Sequence, residues 1–177
     1  MSKLRFLFIV CVLLIAQAIQ AQKVTSFSVS FKIKNLGTTV SGSFKTGTAA
    51  IEVNKTNKSL STFEGSVTMS SVNTGIKLRD KHLREKEEFF HTAKFPLATM
   101  KSVTVEAKEN DEFLVTWDLT IKGITRRFKT TVIATKLNNV VTYKTTMNIN
   151  RNEWGIGGKS MTMGDVVTIN LVASVTN

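Results

Sequence analysis

FLVTWDLTIKGITRRFKTTVIA, residues Phe113 to Ala134, decides the fold class. Phe113, Val115, Trp117, Leu119 and Ile121 fall on every second position, with Leu114, Thr116, Asp118 and Thr120 between them. Successive side chains of a strand point to opposite faces, so this run reads as a strand with one buried face. Lys122-Gly123 ends it as a tight hairpin turn, the glycine supplying positive φ. Phe128, Thr130, Val132 and Ala134 carry the pattern back along a second strand.

The same alternation extends in both directions. Phe27, Val29, Phe31 and Ile33 share one parity, and Ser26, Ser28, Ser30, Lys32 and Lys34 the other. After a turn at Asn35-Leu36-Gly37 come Val40, Gly42 and Phe44, then Ile51 and Val53 beyond Gly47. Further strands hold Phe63, Gly65, Val67 and Met69; Leu97, Val103, Val105 and Ala107; Val141, Tyr143, Met147 and Ile149; and Val167, Ile169, Leu171, Ala173 and Val175. Many short strands at regular spacing predict an all-β sandwich or barrel. Periodicity alone leaves those two open. Inward Phe and Met with small Gly42, Gly65, Ala107 and Ala134 suit a lined barrel with bends or open space, and they also suit a solid core.

One stretch breaks the alternation: Val72 to Pro96, VNTGIKLRDKHLREKEEFFHTAKFP. Leu83 lies two helical turns beyond Ile76. Asp80 is the expected N-cap of a short helix running through Glu87.

Residues 1–21 read as an export signal. Lys3 and Arg5 precede the apolar run Phe6–Ile15, followed by the small-residue sites Ala16-Gln17-Ala18 and Ile19-Gln20-Ala21. Cleavage after Ala21 is preferred to cleavage after Ala18. A membrane span needs ~20 apolar residues, more than this run offers. A lipid anchor on Cys11 is disfavoured, because Val10 stands where a small residue is required. The remaining 22–177 form a single expected domain, periplasmic or secreted. It carries no disulfide or thiolate, since Cys11 is the only cysteine.

The whole chain carries a formal charge of +11. That draws a protein toward anionic lipid headgroups, acidic glycans or nucleic acid. Base stacking needs aromatics on an exposed basic face. Here the phenylalanines take the parity opposite the lysines, so nucleic acid is not an expected partner.

No reaction chemistry is legible. His82 and His91 are the only histidines and lack zinc-ligand spacing, so no metal site is expected. Glu85, Glu87 and Glu88 alternate with Lys81, Arg84 and Lys86 as a solvated helix face does. No glycine-rich phosphate loop or nucleophile elbow is present. The expectation is a binding protein with no catalytic residue.

Several ordered motifs resemble the YceI-like family of lipid-binding proteins. They are Asn73-Thr74-Gly75, Arg79-Asp80, His82-Leu83, Phe89-Phe90 and Pro96 in the interruption. Ile33–Gly37 with Val40, Gly42 and Phe44 resembles the family's first hairpin. Trp117–Thr125 resembles its leucine-threonine-x-x-glycine hairpin. Ile149–Ile156 resembles its arginine-x-x-aromatic-glycine segment, and Gly164-Asp165-Val166 leads into the last strand as in the family. The chain departs from the family in lacking a tryptophan in its first strand and in carrying Lys34-Asn35 where a histidine is common.

The resemblance implies a lipocalin-like antiparallel β-barrel of about eight strands with one short helical excursion. It further implies an isoprenoid lipid or quinone as bound ligand and no other cofactor. The oligomeric state is expected to be monomer or homodimer. Strand parity nominates the lining as Phe27, Phe31, Phe63, Val67, Met69, Phe113, Val115, Trp117, Tyr143 and Met147. Arg79 and His82 are nominated for a polar lipid head at the barrel mouth. The competing expectation is a solid-cored basic secreted protein that meets acidic glycans or anionic lipid surfaces. Transient contact with a membrane surface is compatible with either.

Overall fold

The computed structural model describes residues 22–176, so the expected signal segment lies outside the described residues. The strands are β1 (Lys23–Asn35), β2 (Thr38–Phe44), β3 (Gly47–Glu52), β4 (Thr62–Thr68), β5 (Val72–Asn73), β6 (Leu97–Ala107), β7 (Glu112–Ile121), β8 (Ile124–Leu137), β9 (Val140–Asn150) and β10 (Met163–Thr176). One helix, α1 (Lys77–Glu85), lies between β5 and β6.

All ten strands form one sheet in the order β3-β4-β6-β7-β8-β9-β10-β1-β2-β5. The two ends of that order meet. Only Lys45 and Thr46 separate β2 from β3, and a 3-10 turn at Met69–Ser71 joins β4 to β5. Lys45 N–H donates to Ser71 O at 3.1 Å and Thr68 N–H to Thr46 O at 2.9 Å. The β2–β5 ladder therefore runs on into the β3–β4 ladder. With each bent pair taken as one stave, neighbours in sequence are neighbours in space, and β1 on β10 closes the ring. The choice between sandwich and barrel falls to the barrel, because closure removes the edges that an open sheet would expose.

Two local features differ from the sequence expectation, and a third shapes the barrel. First, α1 begins at Lys77, so Asp80 lies in its first turn and is not the cap. The Asp80 carboxylate is buried and accepts from Thr74 N–H at 2.8 Å and Thr74 Oγ1 at 2.5 Å. It ties the approach to the helix rather than the helix end.

Second, β6 carries a register shift between Ser102 and Thr104. A bulge reverses which parity faces inward. Ala98 and Met100 are consequently buried, while Leu97 and Val103 are exposed.

Third, β8 pairs with β9 only over Ile133–Leu137 and Val140–Lys144, so the two strands splay toward the other end of the barrel. Hydroxyls bridge the start of the seam: Trp117 Nε1 donates to Thr130 Oγ1 at 2.8 Å, and Thr130 and Thr145 hydroxyls lie 2.9 Å apart. The 3-10 turn Arg151–Trp154 packs against β8 and β10, with Trp154 fully buried.

The core divides along the barrel axis. At the end bearing the chain's described termini, Phe63 meets Phe113 at 5.5 Å, Tyr143 at 5.6 Å and Trp117 at 6.1 Å between ring centroids. Tilted and edge-on contacts of this kind add to the area that the rings bury. Burial, reinforced by the Asp111 carboxylate, pushes the Tyr143 hydroxyl above its ordinary pKa. Tyr143 is the chain's only tyrosine, so ultraviolet titration reads it alone. Its ionisation is expected above the free-tyrosine value of about 10. The folded state holds this proton more tightly, so stability is fully present below that value and is lost as pH rises through the folded pKa. A titration at the free-tyrosine value would contradict the burial.

Candidate functional site

Toward the opposite end the core opens into a cavity of about 460 Å³. Its floor and walls come from inward-facing strand positions. These include Phe27, Val29, Phe31 and Ile33 of β1, Leu119 and Ile121 of β7, Met147 and Ile149 of β9, and Val167, Ile169 and Leu171 of β10. Gly42 and Gly65 do not leave open space. A side chain at Gly42 would collide with the Phe31 ring, and one at Gly65 would press on Phe27. These glycines let the two rings lie flat on the wall.

The helical excursion roofs the cavity. Ile76, Leu78, Arg79, His82, Leu83, Phe89 and Phe90 all face it. Phe90 meets Phe44 at 6.0 Å, and Phe44 meets Phe31 at 5.8 Å, so an aromatic wall runs from roof to floor. Lys122 holds the roof to the β7–β8 hairpin, donating from Nζ to Glu87 O at 2.8 Å and to Gly155 O at 3.0 Å. Burial lowers the pKa of Lys122, and Glu88 and Glu87 offset part of that. The hairpin turn beneath it has φ of 50° at Lys122 and 73° at Gly123, the geometry expected from the sequence.

Polar side chains gather at the mouth. Asn35, Thr74, Arg79, His82 and Arg151 line it there. Arg79 donates from Nε to Thr74 Oγ1 and from Nη2 to Thr74 O, both at 2.8 Å. Its Nη1 has no hydrogen-bond partner among the described residues. Thr74 thus receives Arg79 and donates to Asp80, which locks the first turn of α1 over the opening.

Arg151 is the structural knot of the mouth. It is 1% exposed. Its Nε donates to Gly164 O at 2.9 Å, its Nη1 to Ile156 O and Gly158 O at 2.6 Å each, and its Nη2 to Met163 O at 3.2 Å and Asp165 at 3.0 Å. All five donors of the guanidinium fork are used. It organises the loop between β9 and β10 and leaves nothing over for a ligand.

Phe27, Phe31, Val67, Met69 and Met147 of the nominated lining stand on the main cavity wall, and Arg79 and His82 stand at its mouth. Phe63, Trp117 and Tyr143 line a smaller void of about 50 Å³ that shares Phe27, Leu171 and Met100 with the main cavity wall. Phe113 and Val115 line neither space. They sit early on β7, in the packed half, and only Leu119 and Ile121 further along that strand reach the cavity. An aspartate at Phe113 or Val115 would test the fold rather than ligand uptake.

Sequence reasoning passed over Ala98 and Met100 because the β6 bulge hid their parity. It also left out Phe44, Phe89 and Phe90, although a pair of aromatics ending a charged helix was visible. Arg151 was legible only as part of a motif. Its fixed distance to Trp154-Gly155 was the signal that it builds the mouth.

The comparisons with known proteins agree with this architecture. The family profile described as the YceI-like domain matches residues 21–175. The protein YceI of Salmonella arizonae is 38% identical over 99 residues, covering 55% of this chain and 51% of that protein. The chain thus spans about half the length of the curated relatives it matches. Among solved structures, Burkholderia cenocepacia BcnA superposes with a TM-score of 0.80 at 21% identity, covering 85% of this chain and 96% of BcnA. A polyisoprenoid binding domain from Saccharophagus degradans, implicated in plant cell wall breakdown, superposes at 0.65 with 15% identity, covering 88% of this chain and 97% of that domain. Those two likenesses speak to the fold. With an eight-stave barrel, a roofed apolar cavity and a profile match over nearly all the described residues, the chain belongs to the YceI-like domain family.

Proposed function

We propose that this protein binds a long isoprenoid lipid, such as an isoprenoid quinone, inside the barrel and carries it outside the cytoplasm. The observation that carries this reading is the cavity: about 460 Å³, walled by aliphatic and aromatic side chains, with its charged residues confined to one end. That volume falls within the ~300–1,000 Å³ of small-ligand sites. An apolar chain moved from water into it gains ~0.8 kcal/mol for each buried CH₂. The saturated Arg151 and the half-used Arg79 leave Arg79 Nη1 and His82 to meet a polar head, either a carbonyl or an anion. The polyisoprenoid-binding description of the Saccharophagus degradans neighbour supports the ligand class. The basic start and apolar run within residues 1–21 support export.

Native mass spectrometry of the protein purified from its own cells, followed by organic extraction, tests the reading. One isoprenoid species per chain is the expected result. An empty protein that also refuses added long-chain quinone would overturn it.

A further inference from the structure

We propose that the barrel mouth docks on the surface of an anionic lipid bilayer. The partner is the bilayer itself, so the inference goes beyond the cargo reading and does not require a filled cavity.

Two neighbouring loops end in bare apolar side chains at the mouth. Leu36 tips the β1–β2 turn at 74% exposure. Met161, in the loop before β10, is fully exposed. The loops are joined, because Leu36 N–H donates to Thr162 O at 2.8 Å. Ile76 and Leu78, each more than half exposed at the start of the roof helix, line the same cavity as Asn35, the residue before Leu36.

Leu36 occupies a left-handed position, with φ of 50°, where a β-carbon is costly and asparagine or glycine is favoured. Its side chain is not the one the turn calls for, and in water it buries little. A partner that takes up apolar tips accounts for both facts.

The charge around these tips is basic. Lys34, Lys77, Lys81 and Lys159 are exposed on the same elements. Among the carboxylates of these elements, Asp80 is held by Thr74, Asp165 by Arg151, and Glu85 lies 3.9 Å from Lys81. Glu153 on the adjoining turn remains, as do Glu87 and Glu88 in the roof segment after α1, where Lys86 lies 3.6 Å from Glu88. Apolar tips inside a lysine ring match an interface of hydrocarbon beneath anionic headgroups, where each half supplies part of the binding. Ile76 and Leu78 themselves line the cavity, as does Asn35 beside Leu36, so docking would set its mouth against the acyl region.

The test is co-sedimentation of the mature chain with phosphatidylcholine vesicles and with vesicles containing phosphatidylglycerol. Binding is expected only to the anionic vesicles and is expected to weaken as salt is raised. The double variant Leu36→Asn with Met161→Gln changes no residue that lines the cavity, and asparagine suits the turn. It is expected to bind these vesicles at least about tenfold more weakly, while taking up quinone from detergent as the parent does. Leu137→Asn removes an equally exposed leucine at the opposite end and is expected to bind as the parent does. The proposal fails if the parent ignores anionic vesicles. It also fails if the two variants behave alike, or if the tip variant only dissolves a dimer in ultracentrifugation. Quinone uptake is read separately, so loss of cargo binding and loss of docking are distinguishable.

Discussion

Replacing Arg151 with lysine is expected to cost about 3 kcal/mol and to loosen the mouth. The guanidinium gives five hydrogen bonds to four backbone carbonyls and Asp165 from a buried position. A lysine ammonium is a compact point charge and cannot span that fork. At least three carbonyls would lose their partner, at about 1 kcal/mol each. Conserving the positive charge does not help, because Asp165 is more than half exposed and contributes little as an ion partner. Urea unfolding checks this: with a slope of ~1–3 kcal/mol/M, the midpoint should fall by about 1–3 M. Limited proteolysis should cut the loop between Gly155 and Met163 in the variant before the parent. An unchanged midpoint would mean that water replaces the fork without loss and that Arg151 does not tie the mouth together.

The second large effect falls on uptake. Phe31, Ile169 and Met147 pair across β1, β10 and β9 and all face the cavity. Changing Ile169 to glutamate puts a carboxylate into the path of an entering hydrocarbon chain. In the empty barrel water reaches the group through the mouth, so the fold should survive. When a chain enters, the carboxylate must lose that water or take up a proton, and both cost free energy. Uptake of long-chain quinone is expected to fall at least about 100-fold, equivalent to ~2.7 kcal/mol, with a smaller change in unfolding midpoint. Ile169→Met keeps volume and polarity and should bind as the parent does. If the glutamate variant took up quinone normally, the cargo would have to lie outside this cavity.

Much of this was legible from alternation alone. The parity of Phe27 through Ile33 and of Phe113 through Ile121 reproduces the inward faces of β1 and β7. The turns at Leu36-Gly37 and Lys122-Gly123 fall where their residues placed them. Parity failed where a single residue was inserted. The β6 bulge carried Ala98 and Met100 to the cavity and put Leu97 and Val103 in water, and no local residue type announced it. Depth along the axis was also invisible. Phe113 and Leu119 share a face of β7, yet one packs against Phe63 in the closed half and the other borders the cavity. Periodicity reports which way a side chain points, and not how far along the barrel it sits. The Asp80 assignment failed for a different reason. Aspartate suits a cap, but Thr74 offered both a backbone N–H and a hydroxyl, and two hydrogen bonds outcompeted one cap.

Lys23 lies directly opposite Thr176 in the β1–β10 ladder, and with β2–β3 and β4–β5 each taken as one stave, every stave pairs with its neighbours in sequence. Connectivity around the circle is therefore uniform, and the peptide bond at which the ring is cut is interchangeable. A circular permutant that joins Thr176 to Lys23 through a short glycine-serine linker, opened between the exposed Asn138 and Asn139, should build the same barrel. Circular dichroism and quinone uptake matching the parent chain would bear that out.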